Sequence, residues 1–188
     1  MFWYVLLTII GVVLIYAVVT YNSLVTVKHN VGKAWSNIDV LLKQRHDELP
    51  KLVETCKQYM QYEQETLEKV MQARAQVFQA REQQNMGALG SAESALRTGL
   101  GNLFALVENY PELKANENFK HLQGRISNLE NAIADRREFY NESVNVNNVH
   151  IEQFPDVVIA HLFKFAAFKL LKFQASETAD ADVKKLFS

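Results

Sequence analysis

The chain begins with MFWYVLLTIIGVVLIYAVVTY, residues 1–21, and this stretch decides the fold because residues 1–27 carry no charged side chain. The apolar run itself extends from Phe2 to Val19. At about 1.5 Å rise per residue, a helix of this length covers about 27 Å, which is close to the hydrocarbon thickness of a bilayer. The sequence therefore predicts a transmembrane anchor at residues 1–21.

Aromatic residues flank the apolar run, with Trp3 and Tyr4 at its start and Tyr16 and Tyr21 at its end. Such rings are typical of the two headgroup layers of a membrane. The alternative is a cleaved signal peptide, which needs a basic start and a small-residue cleavage site. Because the sequence supplies neither, we expect the anchor to stay attached.

The first cations lie beyond the apolar run, at Lys28, Lys33, Lys43 and Arg45. Basic residues that follow a membrane span favour the cytoplasmic side, whereas acidic residues count little. We therefore expect the carboxyl-terminal body to be cytoplasmic, and the reversed orientation is the alternative.

The composition of the remaining chain indicates one helical domain. The net charge is −1 and the sequence has no Lys/Arg-rich block, so the chain lacks the basic surface that is typical of a nucleic-acid-binding protein. The single cysteine, Cys56, cannot form an internal disulfide, which fits a reducing compartment. Only three prolines and seven glycines occur in 188 residues, so helices are favoured over strands.

Apolar residues recur at helical spacing from Trp35 onward, and neighbouring apolar positions widen the stripe to the face used inside a bundle. Pro50 lies within this element, and because the stripe keeps its phase we expect a kinked but nearly continuous helix. Arg45, Glu63 and Thr66 interrupt the stripe. Its members are Trp35, Ile38, Leu42, Leu49, Leu52, Cys56, Tyr59, Val70, Ala73 and Val77.

The first clear break is predicted at 85–91, where Gly87 and Gly90 lie. Further helices are predicted at about 91–109, for about thirty residues from 113–116, and at 157–173, with the Asn-rich segment 145–148 disfavouring helix. The expected fold is all-α: an N-terminal transmembrane helix, then an antiparallel four-helix bundle at 22–173 with one long first helix. The polar tail, 174–188, is expected to be mobile.

A set of short motifs follows the apolar start in a characteristic order. They are YNSLV at 21–25, AWSNIDV at 34–40, RHDELPKLV at 45–53, ARA at 73–75, ENAIA at 130–134 with Arg137, YN at 140–141 and FP at 154–155. With these motifs the chain resembles the LemA family along essentially its whole length. The resemblance implies a bacterial single-pass membrane protein with an antiparallel helical bundle and no agreed enzymatic activity, and we expect it at the inner membrane. A magnetosome-associated branch of the family hints at membrane organisation. Glu48 and Lys51 depart from the family pattern around Pro50.

The sequence lacks the common catalytic and metal-binding motifs. Di-iron and di-manganese bundles use Glu-x-x-His pairs, and none of the five histidines has glutamate three residues before it. Neither a Gly-x-Ser-x-Gly elbow nor a phosphate-binding loop is present. We therefore predict no catalytic residues, no cofactor, no metal and no enzymatic activity. The alternative is a metal-dependent or hydrolytic enzyme, which a stoichiometric metal in the purified protein would support.

Charged residues at or beside the apolar stripe form the first candidate site. Asp39 lies next to the stripe and Arg45 lies on it, so each should find an oppositely charged partner across the bundle. The candidate partners are Arg136, Arg137 and Glu130. The simplest interpretation is a set of structural ion pairs. The alternative is that Asp39, Arg45 and Asp47 bind a partner protein.

The predicted last helix forms the second candidate site. His161, Lys164, Lys169 and Lys172 would share one arc of this helix, opposite an apolar arc. Basic amphipathic helices of this kind can lie on anionic membranes. Lys164, Lys169 and Lys172 are therefore candidates for lipid contact, and the alternative is a closing helix whose lysines face water.

These observations predict a membrane-anchored scaffold or interaction module. Its expected partners are membrane lipids and unidentified membrane or cytoplasmic proteins, with a homo-oligomer left open and no nucleic acid. The alternative is a membrane-shaping protein that assembles with itself.

Overall fold

The computed structural model describes residues 1–172, and within them every regular element is a helix. The all-helical prediction is confirmed for this part of the chain. The predicted tail at 174–188, and Phe173, lie outside the described residues. The helices are α1 (Phe2–Lys57), α2 (Gln64–Glu82), α3 (Met86–Val107), α4 (Pro111–Ala115), α5 (Glu117–Glu152) and α6 (Asp156–Leu162).

The chain forms two compact units, and α1 and α5 each contribute to both. Among the described residues, the first unit contains 1–37 and 136–170, and the second contains 38–135 together with Leu171 and Lys172. In the first unit, Leu24 of α1 packs with Ile159 and Ala160 of α6. In the second unit, the buried apolar side chains come from α1 through α5, among them Ile38, Leu42, Leu49, Leu52, Val70, Val77, Leu96, Leu100, Leu103, Phe119 and Ile126.

Helix α1 contains the apolar run and continues through Pro50 without interruption, as predicted. By length and composition its start could cross a membrane: the most apolar window has a mean hydropathy of 2.5, and none of it is buried by residues 1–172. Apolar side chains of this segment, including Phe2, Leu7 and Ile15, are exposed. In water such exposure opposes folding, whereas in lipid it does not.

The first helix ends earlier than the sequence predicted. Instead of reaching 85–91, the long helix stops at Lys57, and α2 begins at Gln64. The turn contains neither glycine nor proline and is held by tertiary contacts: Met60 is buried, and the Tyr110 hydroxyl donates to Glu63 Oε1 at 2.9 Å. The turn keeps the apolar pattern in phase, because buried residues lie on both sides of it.

The predicted break at 85–91 exists but is shorter. Helix α3 begins at Met86, and the Asn85 side chain accepts a hydrogen bond from the Ala88 backbone N–H at 3.2 Å. Asparagine is a strong N-cap because it satisfies a donor that the first turn leaves free. Gly90 is buried inside the helix rather than in a loop.

Candidate functional site

Arg45 is the largest fully buried polar side chain in the part of the chain that the structure describes, with 1% of its surface exposed. Helix α1 places its guanidinium against the carboxylates of Glu93 on α3 and Glu130 on α5. Glu93 is 3% exposed and Glu130 is 18% exposed. These three residues, the Arg45 cluster, tie three helices of the second unit together.

Burial opposes the charged form of Arg45, but the negative charges of Glu93 and Glu130 outweigh it, and the pKa of Arg45 is raised above its ordinary value. A guanidinium with two carboxylate partners satisfies the donors that burial would otherwise leave unpaired. Glu130 was among the predicted partners and is one. Glu93 was not predicted, although it lies on the buried stripe of α3 between Leu89 and Leu96.

Asp39 forms a two-pronged ion pair with Arg81 of α2. Arg81 Nε donates to Asp39 Oδ1 at 2.6 Å, and Arg81 Nη2 donates to Oδ2 at 2.9 Å. Hydrogen bonding to Asp39, which outweighs the effect of burial, raises the pKa of Arg81. The fork geometry fixes the angle of the pair as well as its distance. Asp39 is therefore engaged within the second unit, half-exposed at its edge.

Asp47 lies on the exposed side of α1. Beside it, Arg74 Nε donates to the His46 carbonyl at 2.9 Å, and the His46 ring lies 4.7 Å from the exposed Phe78 ring. Burial, and then the Arg74 charge, lower the pKa of His46. We name this surface the α1–α2 face; its residues are Asp39, Asp47, Arg74, Phe78 and Arg81.

The predicted helix at 157–173 is wrong beyond Leu162. Helix α6 ends there, Lys164 adopts a left-handed conformation with φ of 56°, and the Phe165 N–H donates to the Ala160 carbonyl at 2.9 Å. Residues 163–170, which we name the strap, then continue without helix. Lys164 and Lys169 are exposed on the strap, and Lys172 is exposed in the second unit, so the three share no helical arc.

Asparagine side chains of α5 explain why the strap is not helical. They also explain why a second prediction in this region, for the segment 145–148, is wrong. The segment 145–148 was expected to disfavour helix, yet α5 continues to Glu152. The Asn148 side chain donates to the Phe168 carbonyl and accepts from the Phe168 N–H, both at 3.0 Å. The Tyr140 hydroxyl donates to the Lys169 carbonyl at 3.0 Å. These side chains supply the hydrogen bonds that the strap backbone lacks because it is not helical.

We expect Asn148→Ala to release the strap. It removes both hydrogen bonds to Phe168 and leaves the backbone groups of a half-buried segment without their partners, a loss of about 1–3 kcal/mol. Hydrogen exchange of the strap backbone amides measures this release, and we expect faster exchange that is confined to residues 165–170. The matched control is Asn145→Ala, because Asn145 is exposed on the same helix. Equal exchange in both variants would contradict this assignment.

Groups that could do chemistry are sparse in the described residues. Among residues 1–172, no cluster of three or more His, Cys, Asp or Glu side chains could hold a metal ion. Burial raises the pKa of Cys56 to about 12, so its thiol is protonated at neutral pH and a poor nucleophile.

Helix α1 begins with an uncovered apolar segment and continues into a body that buried ion pairs stabilise. The described residues are therefore those of an all-helical protein with a candidate membrane span near its N-terminus. The sequence profile of the LemA family matches residues 34–185, and the chain belongs to the LemA family. The expected resemblance is confirmed.

Curated relatives match a shorter segment. The chain is 33% identical over 78 residues to magnetosome protein MamQ 2 of Paramagnetospirillum magneticum, which is 42% of this chain and 29% of that protein. It is 35% identical over 68 residues to magnetosome protein MamQ of Magnetospirillum gryphiswaldense, 36% of this chain and 25% of that protein. The matched segments thus span less than a third of these relatives. Neither name denotes an enzyme.

Proposed function

We propose that this protein is a non-enzymatic scaffold anchored by a single helix in the bacterial inner membrane. The observation that carries the proposal is the apolar start of α1, which the described residues leave largely uncovered although the same helix is well packed from Leu24 onward. Side chains that pack against nothing in the protein are suited to lipid. In this proposal the anchor is 1–21 and the body, an antiparallel helical bundle, is 22–173.

The body lies on the cytoplasmic side in this proposal. The basic residues nearest to the anchor, Lys28 and Lys33, follow it, and they are the residues that the positive-inside rule weighs.

The α1–α2 face is the proposed protein-binding surface. It combines the exposed Asp47 with an exposed aromatic ring, Phe78, and with the half-exposed Asp39, a mixture typical of interface rims and anchors. Arg45 was a candidate for the same surface. Since Arg45 is buried, its part would be to hold α1 in register beneath the face rather than to contact a partner.

We expect a photo-crosslinking amino acid at Asp47 to capture a protein of one defined size in intact cells. The same amino acid at Glu65, an exposed carboxylate on α2, is the matched control and should not capture it. Adding Phe78→Ser should abolish the adduct, because it removes the aromatic contact at the centre of the face. No adduct at Asp47, or an identical adduct at Glu65, would contradict the assignment.

Lys164, Lys169 and Lys172 are the proposed lipid-headgroup contacts, each supplying an exposed charge. A lysine near an anionic surface contributes about 1 kcal/mol at most. We expect the full chain in mixed nanodiscs to enrich anionic lipid, and glutamine at all three positions to reduce the enrichment. Glutamine at three exposed lysines elsewhere, Lys69, Lys114 and Lys120, is the control. Equal enrichment in both triple variants would rule out the role of the three lysines.

A second candidate function is membrane shaping by self-assembly. It is favoured by the similarity to two magnetosome proteins over about 70–80 residues. The size distribution in detergent separates the two proposals, because an adaptor stays small and an assembling coat forms large species that grow with concentration.

A further inference from the structure

We propose that the corner between α5 and α6 enters the interfacial layer of the bilayer beside the anchor, through an exposed apolar surface of Phe154, Val158, Leu162 and Phe163. We name this surface the corner strip. The inference rests on the proposed membrane anchoring, and it adds a second point of lipid contact, made by the body itself.

The position of the corner follows from contacts within the first unit. The Tyr16 hydroxyl, in the last turns of the apolar run, donates to Asp156 Oδ1 at 2.7 Å. Thr20 Oγ1 lies 3.5 Å from the same oxygen, and Gln153 Nε2 donates to Asp156 Oδ2 at 3.0 Å. The corner is thus held at the height where the anchor ends, which is the headgroup layer if Phe2–Val19 spans the hydrocarbon core.

Helix α6 carries apolar residues on two faces. One face is covered, because Ile159 and Ala160 pack with Leu24 and against Ala17 of α1. The other is not: Val158 and Leu162, one turn apart, are 58% and 70% exposed, and Phe154 in the corner is 83% exposed. A short helix that is apolar on both faces is poorly suited to water on its outer side.

The surroundings of the strip favour lipid as its occupant. The strip meets the end of the proposed anchor in space, since the centre of the Phe163 ring lies 4.7 Å from the centre of the Tyr21 ring. Exposed cations follow it, with Lys164 next in sequence and Lys28 Nζ 6.0 Å from the Phe165 ring centre. Apolar side chains bordered by lysine are typical of elements that lie in the interfacial layer. Of the two acidic residues at the corner, Asp156 is hydrogen-bonded to Tyr16 and Gln153, whereas Glu152, the last residue of α5, is exposed.

The test places an environment-sensitive fluorophore on Phe154→Cys in the full chain, reconstituted in vesicles that contain lipids brominated on the upper acyl chain. Native Cys56 is buried and labels slowly at pH 7 because its pKa is about 12. We expect a blue-shifted emission maximum and quenching by the brominated lipid. Val158→Cys, on the same strip, should give the same result.

Phe139→Cys is the matched control. Phe139 is an exposed phenylalanine of the same unit, 53% exposed, and it lies about 20 Å back along α5 from the corner. It is adjacent in sequence to Tyr140, which contacts Trp35, itself about 24 Å along α1 from the end of the apolar run. Its label should remain unshifted and unquenched.

Two results would overturn the proposal. One is that the labels at positions 154 and 158 both show the same emission maximum and the same lack of quenching as the label at position 139. The other is a blue shift that brominated lipid does not quench but that vanishes on dilution of the protein in the membrane, which would assign the strip to a second copy of the chain. Flotation of the same vesicles reports separately on the anchor, so failure of the strip and failure of the anchor are distinguishable.

Discussion

Replacing Arg45 by methionine is expected to lower the free energy of unfolding by about 3–5 kcal/mol, the usual cost of breaking a buried ion pair from one side. The methionine fills much of the space, but Glu93 and Glu130 then lose the guanidinium that they share, and Glu93 is almost wholly buried. Removing the cation beside a buried carboxylate is costly in a protein interior.

Denaturant titration of the full chain in mild detergent, followed by tryptophan fluorescence and circular dichroism, measures this loss. Lys43→Met is the matched control, since Lys43 is exposed on the same helix and its removal should change stability by less than about 0.5 kcal/mol. Adding Glu93→Leu and Glu130→Leu to Arg45→Met should recover most of the stability, because none of the three charges of the Arg45 cluster then remains. A loss for Arg45→Met no larger than that for Lys43→Met would contradict the buried cluster.

Arginine at both Ile9 and Val13 is expected to prevent stable insertion of the anchor. The two positions lie one turn apart on α1, and each arginine near the middle of a span costs about 2.5–3.5 kcal/mol. The apolar side chains from Phe2 to Val19 together favour insertion by only about 4–7 kcal/mol. The two effects therefore nearly cancel, and the double variant should leave the membrane fraction.

Flotation on a density gradient after an alkaline wash measures the partition. The double variant Ile9→Leu and Val13→Leu is the control and should float as the natural chain does. If the arginine variant floated equally, the body and not the anchor would hold the protein at the membrane.

The sequence predicted the helices of this protein better than its turns. The apolar stripe from Ile38 to Val77 is buried as expected except at Tyr59, which is half-buried, because a 3.6-residue period identifies the packed face of a helix. The turn between Lys57 and Gln64 was missed because neither glycine nor proline marks it. The interruption of the stripe at Glu63 and Thr66 was the signal that could have located it.

The structure of residues 163–172 could not be predicted from the local sequence pattern. The segment 163–172 alternates lysine with apolar residues at helical spacing, yet it pairs its backbone with Asn148 and Tyr140 instead of with itself. Those partners lie about 20–30 residues away, so the competition between helix and strap is decided by tertiary contacts that propensity does not contain. The same asparagines that suggested a loop serve within a helix.

The candidate site was predicted in part. That Arg45 and Asp39 need partners followed from their positions relative to the stripe, and Glu130 was correctly among those considered. Arg81 was missed because the sequence placed α1 and α2 in one continuous helix, which hides any pairing between them. The partner-binding role of Asp39, Arg45 and Asp47 and the lipid role of the three lysines remain predictions.

The most direct measurement is the intact mass of the protein recovered from alkaline-washed cell membranes, together with its yield in the soluble fraction. A membrane-resident scaffold predicts that the washed membranes retain the protein and that its mass includes every residue from Phe2 to Val19. Recovery of the protein in the soluble fraction, with a mass that shows this segment removed, would contradict the account.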